Sequence, residues 1–262
     1  MRIIVPMKQV PDMRQVKFDT EKGKVDRSSA AAEINPFDLH ALETAVQLKE
    51  KLGAAVTAIS MGPRRAEVAL RDALARGADS AVLLEDSKFA GADTLATSYT
   101  LACAIRKLGG FDLIICGEKT VDGDTGQVGP ELAEHLNIPH LAYVSKLVEA
   151  GEKLVAVCDM EGEAHIVEAS LPVLLMVTKD INIPRLPTFR DKAMARKAEV
   201  TIWNAEELSS FADPSRFGIE GSPTRVRKVF LPSEEGRKGK IFRNTNEEAI
   251  SDVAQAILDF LG

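Results

Sequence analysis

A short apolar run, a loop rich in glycine and aspartate, and the start of a helix-like pattern follow one another in the stretch Leu113-Ile114-Ile115-Cys116-Gly117-Glu118-Lys119-Thr120-Val121-Asp122-Gly123-Asp124-Thr125-Gly126-Gln127-Val128-Gly129-Pro130. The apolar run, 113–116, predicts a buried strand. Residues 127–136 predict a helix. The loop therefore lies at the carboxyl end of a strand and the amino end of a helix, where open α/β sheets bind their ligands.

The same alternation of strand and helix patterns surrounds this stretch. Further strands are predicted at residues 3–7, 56–61, 81–84 and 174–177, and further helices at 36–52, 64–76 and 93–110. Strands that alternate with helices of this length predict βαβ units, and hence an α/β fold with a mainly parallel sheet. Residues 154–159 and 164–169, joined at Glu161-Gly162, predict a β-hairpin.

The first long helix has clear start and stop signals. Asn35 is a preferred N-cap residue, and Pro36 suits the first helical position. Asp38 complements the positive end of the helix dipole, and Gly53 is placed to end the helix.

The chain after Asp180 has a different character. It contains Pro184, Pro187, Pro214, Pro223 and Pro232 among mixed charges, and its apolar periodicity is weak until residues 250–261. A segment with so few core residues rarely folds alone. The sequence thus predicts a nucleotide-binding α/β domain at 1–184, followed at 185–262 by a partner-docking loop and a C-terminal arm that packs on another subunit.

Composition excludes several classes of protein. The net charge of −6 and the pI of about 5.4 argue against general nucleic-acid binding, which needs a basic surface. No stretch approaches the roughly 20 apolar residues that span a bilayer. The amino terminus shows no signal-peptide pattern, so we expect a cytoplasmic protein without membrane insertion. The three cysteines and four histidines form no metal-binding motif, and no metal is expected.

The loop after Cys116 has the residues that phosphate recognition requires. Glycines let backbone N–H groups approach a phosphate, and the following helix adds partial positive charge. Thr125 and Gln127 add neutral donors. Nucleotide binding and a flexible strand–helix connection both remain open from these residues alone.

Other motifs do not fit this loop. Gly123, Gly126 and Gly129 are spaced G-x-x-G-x-x-G, which is not the Rossmann fingerprint, and no G-K-[ST] follows. Asp122 starts a calcium-like pattern, but Ala133 occupies the position of the chelating glutamate. No constellation of nucleophile, acid and base is visible, so no catalytic residue is predicted. Cys116 is expected to be a packed thiol.

Several blocks of the sequence resemble electron-transfer flavoprotein beta subunits, in order and spacing. Besides the loop, these blocks are Lys8-Gln9-Val10-Pro11-Asp12, Asn35-Pro36-Phe37-Asp38, Ala41-Leu42-Glu43-Thr44-Ala45, Met61-Gly62-Pro63, Ala73-Leu74-Ala75-Arg76-Gly77-Ala78-Asp79, Leu171-Pro172 and Asp180-Ile181-Asn182-Ile183-Pro184-Arg185. The resemblance implies a doubly wound sheet of the adenine-nucleotide-binding type. It also implies a partner, the alpha subunit, which holds its own FAD.

The resemblance further implies which residues bind the nucleotide. They are Pro6, Lys8, Asn35, Asp38, Met61, Gly62, Thr94, Cys116, Thr120, Asp122, Gly123, Asp124, Thr125, Gly126, Gln127, Val128 and Gly129. Asp122 and Asp124 would repel a phosphate if they faced it, so we expect them to turn outward, to cap the helix or to meet a ribose hydroxyl.

The small residues of the loop resemble the bifurcating subtype, whose beta subunit binds FAD. Beta subunits that hold only a structural AMP have bulkier residues at Gly123 and Gly126. Gly91-Ala92-Asp93-Thr94 also resembles the bifurcating subtype and suits a second phosphate-bearing ligand such as NADH, the expected electron donor. Ordinary helix capping by Asp93 and Thr94 is the alternative.

A proline-bracketed segment is expected to dock electron-transfer partners. By resemblance, Leu186, Thr188, Phe189 and Arg190 form the recognition loop, with Phe189 as the apolar anchor. The expected partners are an acyl-CoA dehydrogenase-type flavoenzyme and ferredoxin. Burial of Phe189 against the alpha subunit is the alternative.

Three alternative functions make different demands on the sequence. The alternative within the family is a simple electron carrier with a structural AMP. An adenylating enzyme would need a motif such as S-G-G-x-D-S after the first strand, where this chain has Lys8-Gln9-Val10-Pro11-Asp12. A nucleotide-sensing stress protein would be much shorter and would lack the segment after Asp180.

Overall fold

The computed structural model describes residues 1–12, 17–19, 24–26, 32–151, 153–227 and 246–261. Their strands are β1 Arg2–Pro6, β2 Gln9–Pro11, β3 Lys17–Asp19, β4 Lys24–Asp26, β5 Ala32–Ile34, β6 Ala55–Met61, β7 Ser80–Leu84, β8 Leu113–Gly117, β9 His140–Ala150, β10 Lys153–Met160, β11 Glu163–Ser170, β12 Val173–Val177 and β13 Thr201–Trp203. Their α-helices are α1 Pro36–Leu52, α2 Glu67–Ala75, α3 Thr94–Leu108, α4 Val128–Leu136, α5 Phe189–Ala195 and α6 Glu247–Leu261.

Nine of these strands form one sheet, in the order β11-β10-β9-β12-β8-β1-β6-β7-β13. All neighbours from β9 to β13 in this order are parallel, whereas β10 is antiparallel to β9 and β11. The predicted α/β fold with a mainly parallel sheet is confirmed.

The sheet changes winding direction beside β1. From β1 the chain passes through α1 to β6 and then outward to β7, and α3 returns it to β8 on the other side of β1. The connections that leave β1 and β8 therefore diverge, which makes a crevice at their carboxyl ends. This crevice lies where the sequence predicts the nucleotide.

Helices cover both faces of the sheet, because successive side chains of a strand point to opposite faces. Ile3 and Val5 of β1 belong to one apolar core, which includes Leu42 of α1 and Leu70 of α2. Ile4, between them, belongs to a second core with residues of α3 and α4. Strands buried on both sides explain why the sequence shows continuous apolar runs rather than alternation.

Pro36 and Gly53 act as predicted at the two ends of α1. Pro36 occupies its first turn, and Gly53 has a positive φ of 68° with its N–H bonded to the Lys49 carbonyl. The predicted hairpin of β10 and β11 is also confirmed. Its turn residues, Glu161 and Gly162, have φ values of 42° and 91°, as a tight two-residue turn requires.

Strand β9 was not predicted. Its pairing with β10 shifts register twice, so its buried positions do not follow a simple alternation. Tyr143, within it, has a φ of 54°, which is unusual for an aromatic residue.

Part of the segment expected to form an arm belongs to the α/β domain. Strand β13 is the edge strand beside β7. Leu208 and Phe217 are fully buried in the second core, and Phe217 packs edge-on against Phe89 with ring centroids 5.0 Å apart. Prolines and charged residues dominate this stretch, so its sequence pattern did not predict the burial of the few apolar residues that anchor it.

In the ranges given above, no helix is both long and apolar enough to cross a membrane. The same ranges hold no group of three or more His, Cys, Asp and Glu side chains suited to a metal ion.

Candidate functional site

The loop between β8 and α4 is fastened to the amino end of α1 by Asn35. This side chain is fully buried. Its Nδ2 donates to the Lys119 carbonyl at 2.9 Å, and its Oδ1 accepts from the Val121 N–H at 3.1 Å. Asn35 occupies the N-cap position of α1, but its side chain accepts no capping bond from the helix N–H groups. The expectation that its side chain caps α1 is therefore wrong, because the loop takes both of its polar atoms.

A second connection joins the loop to the first strand. Lys8, just after β1, places its Nζ 2.7 and 2.9 Å from the two carboxylate oxygens of Asp122. The Asp122 side chain is only 8% exposed, so this ion pair is largely removed from water on the acidic side. The expectation for Asp122 was an outward position, a helix cap or a ribose contact. None of these describes its pairing with Lys8.

Asp124 behaves as expected. It is exposed, has a φ of 54°, and forms an ion pair with Lys119 at 2.8 Å. Its carboxylate is therefore turned to the solvent side of the loop. Lys119 in turn lies over the Phe37 ring at 5.8 Å from the centroid.

Asp38 holds the strand ends together in the buried part of the site. Its Oδ2 accepts from the Lys8 N–H at 2.8 Å, and the Gly117 N–H also bonds to its carboxyl group. Burial raises the pKa of Asp38 to about 7, against the lowering effect of these hydrogen bonds. Asp38 was predicted to bind the nucleotide, and in this geometry its carboxyl group is bonded to the chain itself.

The glycines of the loop differ in the space around them and in their backbone conformation. A Cβ at Gly123 would meet only the Thr120 hydroxyl, at 3.2 Å, and Gly123 is exposed. Gly126 has a φ of 65°, which side chains rarely adopt. A Cβ at Gly129 would lie 2.8 Å from Met176 Cγ, so this glycine allows α4 to pack on the sheet. Only Gly123 and Gly126 bear on access to the loop.

The amino end of α4 supplies donors for an anion. The helix starts at Val128, and no side chain caps its first turn. Thr125 and Gln127, which precede it, are exposed. Uncapped N–H groups and the helix dipole favour negative charge at this point.

Other predicted ligands lie deeper in the sheet. Pro6 is buried beside Ile59, and Met61 and Gly62 are partly exposed at the carboxyl end of β6. Cys116 is buried, and its Sγ donates to the Leu175 carbonyl at 3.6 Å. Burial, together with the nearby Asp38, raises the pKa of the Cys116 thiol. The thiol is therefore protonated and packed, as predicted.

The amino end of α3 is bound within the chain. The Asp93 carboxylate caps the helix through the Ala96 N–H at 3.1 Å and also accepts from Thr224. The Thr94 hydroxyl donates to Glu131 of α4 at 3.0 Å. Helix capping, the alternative considered for this motif, is thus observed for Asp93. Thr94 links α3 to α4.

Contacts unite Lys8, Asn35, Asp38 and the loop residues into one cluster. The cluster also includes Phe37 and Lys119, and Glu131 lies next to it. None of the three was predicted to bind the nucleotide. Phe37 and Lys119 lie inside stretches that were selected, and a lysine in a phosphate-binding loop was a usable signal. For Glu131 the available signal was its place in the first turn of α4, next to the loop.

The segment that is predicted to dock partners presents apolar side chains to solvent. Ile183 and Leu186 are exposed, and Phe189 is 94% exposed. The expectation of a loop at 188–190 is wrong in one respect. Thr188 and Asp191 form a capping box, so Phe189 and Arg190 begin α5. The T-x-x-D spacing was the signal for this helix start.

Comparisons with known proteins agree with one another. Residues 22–208 match the family described as "Electron transfer flavoprotein domain". The chain is 44% identical over 258 residues to the electron transfer flavoprotein subunit beta of Thermoanaerobacterium thermosaccharolyticum, covering 98% of each chain. It is 40% identical over 257 residues to the caffeyl-CoA reductase-Etf complex subunit CarD of Acetobacterium woodii, covering 97% of each. It is 39% identical over 265 residues to protein FixA of Sinorhizobium fredii, covering 98% of this chain and 92% of FixA.

Proposed function

The chain belongs to the electron transfer flavoprotein family, and from that membership we propose that it is a beta subunit that binds FAD and oxidises NADH in complex with an alpha subunit. In this proposal the complex passes electrons between NADH, the alpha-subunit FAD and acyl-CoA dehydrogenase-type or ferredoxin-type partners, as a bifurcating flavoprotein. The role in electron transfer follows from the family. The cofactor, the donor and the acceptors are the proposed part.

One observation carries the choice of FAD, namely the open loop in front of α4. Gly123 is exposed and lacks a side chain at a place where only the Thr120 hydroxyl is near. The uncapped first turn of α4 adjoins it. A pyrophosphate can therefore run past Gly123 toward the helix amino end, where backbone N–H groups bind phosphate oxygens. Lys8 lies at the same crevice, where its charge is balanced by that of Asp122.

The bound flavin supplies the redox chemistry, because it accepts a hydride and releases single electrons. The residues of this chain bind and orient it. Asn35 and the Lys8–Asp122 pair fix the loop, and Asp38 fixes the ends of β1 and β8. The Cys116 thiol is protonated and packed, so it takes no part as a nucleophile.

For NADH we assign the amino end of α3, at residues 91–94. Gly91 is exposed and has a φ of 73°, and Ile219 lies 3.4 Å from the position that a Cβ would take. The Asp93 carboxylate is already engaged with Ala96 and Thr224, so it is turned into the chain.

The partners are assigned from exposed apolar surfaces. Helix α6 exposes Ile250, Ile257 and Leu258, an arrangement suited to the alpha subunit. Phe189 and Leu186 suit a flavoenzyme that delivers or accepts electrons. The name of CarD, a subunit of a caffeyl-CoA reductase complex, supports a partner that acts on CoA thioesters.

The alternative is a simple electron carrier in which this subunit holds AMP. The same loop and helix end would bind the single phosphate of AMP, so affinity for AMP cannot separate the two functions. The test is to release and quantify the nucleotides of the purified heterodimer. Two FAD per heterodimer are expected, and one FAD with one AMP would establish the simple carrier instead.

A further inference from the structure

The segment that carries the exposed apolar side chains, residues 181–187, has no regular secondary structure but is fixed on α1. The Asn182 Nδ2 donates to the His40 carbonyl at 3.0 Å and to the Thr44 hydroxyl at 2.8 Å. The His40 ring Nδ1 lies 3.0 Å from the Asn182 carbonyl oxygen. Side chain and backbone of Asn182 are therefore both held by one turn of α1.

Arg185 makes a second and stronger attachment. Its backbone N–H and its Nε donate to Glu43 Oε2 at 3.1 and 2.8 Å, and its Nη2 donates to Glu43 Oε1 at 3.1 Å. Its guanidinium also donates to Glu50, about two turns further along α1, with Nη2 3.0 Å from Oε2. We call Asn182, Arg185 and Glu43 the clamp.

Glu43 is the buried member of the clamp, at 6% exposure. Burial would raise the pKa of Glu43, but the hydrogen bonds from Arg185 outweigh it and the pKa lies below its ordinary value. The glutamates raise the pKa of Arg185 in return. Both groups are charged at neutral pH, so the clamp is a charge-assisted and bidentate attachment.

The geometry of Arg185 makes the attachment directional. One carboxylate accepts from both the backbone and the side chain of the same residue, which fixes the main chain immediately before Leu186. The Arg185 carbonyl is held from the other side by the Arg76 guanidinium. The main chain is thus bonded at Asn182 and at Arg185, on either side of the exposed Ile183 and directly before Leu186.

The same helix also organises the nucleotide loop. Asn35, at the amino end of α1, holds Lys119 and Val121, and Glu43 lies eight residues further on, about 12 Å along the helix. One rigid element therefore carries the loop at one end and the docking segment at its middle.

We propose that Glu43 and Arg185 are positioning residues for electron-transfer partners. They hold Leu186 and Phe189 in the arrangement that a flavoenzyme partner binds, in a fixed relation to the nucleotide loop. This inference rests on the proposed docking role of Phe189. Without the clamp the docking surface is present but samples other arrangements. The apparent affinity for the partner then falls in proportion to the fraction of molecules that keep the correct arrangement.

The test uses the purified complex with its alpha subunit and an acyl-CoA dehydrogenase that the wild-type complex reduces. Glu43→Gln keeps the shape of the side chain and removes its charge. Arg185→Lys keeps the charge and removes the bidentate geometry. For both variants we expect the KM for the dehydrogenase to rise on the order of ten-fold. The kcat, the rate with a small dye as acceptor and the nucleotide content should stay at wild-type values.

Two further variants separate the possible outcomes. Glu168→Gln removes an exposed ion pair with Lys153 at the opposite edge of the sheet and should behave as wild type. Phe189→Ala tests the docking surface itself. An unchanged KM for Glu43→Gln, with a raised KM for Phe189→Ala, would overturn the clamp and leave the docking surface standing. An unchanged KM for both would overturn the two together. Loss of nucleotide or of dye reduction in Glu43→Gln would also overturn the positioning role, because the residue would then support the whole fold.

Discussion

Lys8 and Asp122 form an ion pair, with Nζ 2.7 Å from Oδ1, across the point at which the sheet reverses its winding direction. Lys8 follows β1, and Asp122 lies in the loop after β8. Their contact closes a loop of 113 intervening residues. The pair therefore ties together the two connections that diverge to make the crevice.

We expect Lys8→Met and Asp122→Asn each to lower the free energy of unfolding, and the double variant to lose less than the sum of the two single effects. Lys8 is about half exposed, so water screens the pair, and a coupling energy of about 0.5–1 kcal/mol is the expected size. Denaturant unfolding of both single variants and of the double variant measures it. If the two single effects simply add, the ion pair does not stabilise the loop.

The stability of the protein should fall as the pH rises from about 4 to about 7 through the titration of Asp38. Burial raises the pKa of Asp38 from 3.8 to about 7, so in this window the folded state holds a proton that the unfolded state has lost. The unfolded state binds fewer protons, and the free energy of unfolding therefore decreases with pH, by at most about 1.4 kcal/mol per pH unit.

The variant Asp38→Asn cannot titrate at this position. Between pH 5 and pH 8 the free energy of unfolding, measured from unfolding curves, should therefore decrease more in the wild type than in the variant. A pH dependence that is the same in both proteins would show that Asp38 keeps its ordinary pKa.

The sequence was sufficient for elements whose burial is complete. Strands β1, β8 and β12 are apolar on both faces, and their runs of Ile, Leu and Val cannot be mistaken for loops. It was insufficient where a few distant contacts decide the structure. Phe217 is buried because Phe89 and Tyr99 lie beneath it, and no local pattern around Phe217 reports these partners.

The candidate site shows the same limit in more detail. The family resemblance placed Asn35, Asp38 and the glycine-rich loop in one site, and the residue types fit that placement. The types did not reveal which group each side chain meets. Asn35 could cap α1 or bind the loop, and Gly129 could serve a phosphate or helix packing. Only the distances to Lys119, Val121 and Met176 decide between these functions.

Helix α6 should contribute to binding of the alpha subunit. Ile250, Val253 and Ile257 lie on one face of the helix, at spacings of three and four residues, and the two isoleucines are exposed. Burial of each isoleucine on association would contribute about 1.5–3 kcal/mol. Ile250→Ser with Ile257→Ser should therefore weaken the heterodimer at least ten-fold in a sedimentation or titration measurement.

The matched control for α6 is Gln255→Ser, which changes the opposite face of the same helix. Equal affinity of all three proteins for the alpha subunit would mean that the apolar face of α6 has another role.

Truncation of Phe189 should impair electron transfer to the dehydrogenase without loss of flavin. Its ring is 94% exposed at the first position of α5, and the capping box of Thr188 and Asp191 does not involve the ring. Phe189→Ala should leave the melting temperature unchanged and raise the KM for the dehydrogenase about ten-fold, the size typical of an aromatic anchor in an interface. Ile166→Ala, an exposed apolar residue on β11, is the control. Equal effects of the two variants on the KM would remove the special role of Phe189.

Gly123→Asp should lower FAD occupancy while AMP still binds. The fold should tolerate the change, because a Cβ at this exposed position meets only the Thr120 hydroxyl and the φ of Gly123 is unremarkable. The carboxylate, however, would occupy and repel the path of a pyrophosphate that runs toward the amino end of α4. Gly123→Ala adds the Cβ without the charge and should retain most of the FAD.

Gly129→Ala, in contrast, forces a Cβ to within 2.8 Å of Met176 and should cost about 1–3 kcal/mol of stability by overpacking. Quantified FAD and AMP in the three purified heterodimers, with their unfolding curves, separate a blocked ligand path from a damaged fold. Full FAD occupancy in Gly123→Asp would place the pyrophosphate elsewhere and would remove the steric argument for FAD in this subunit.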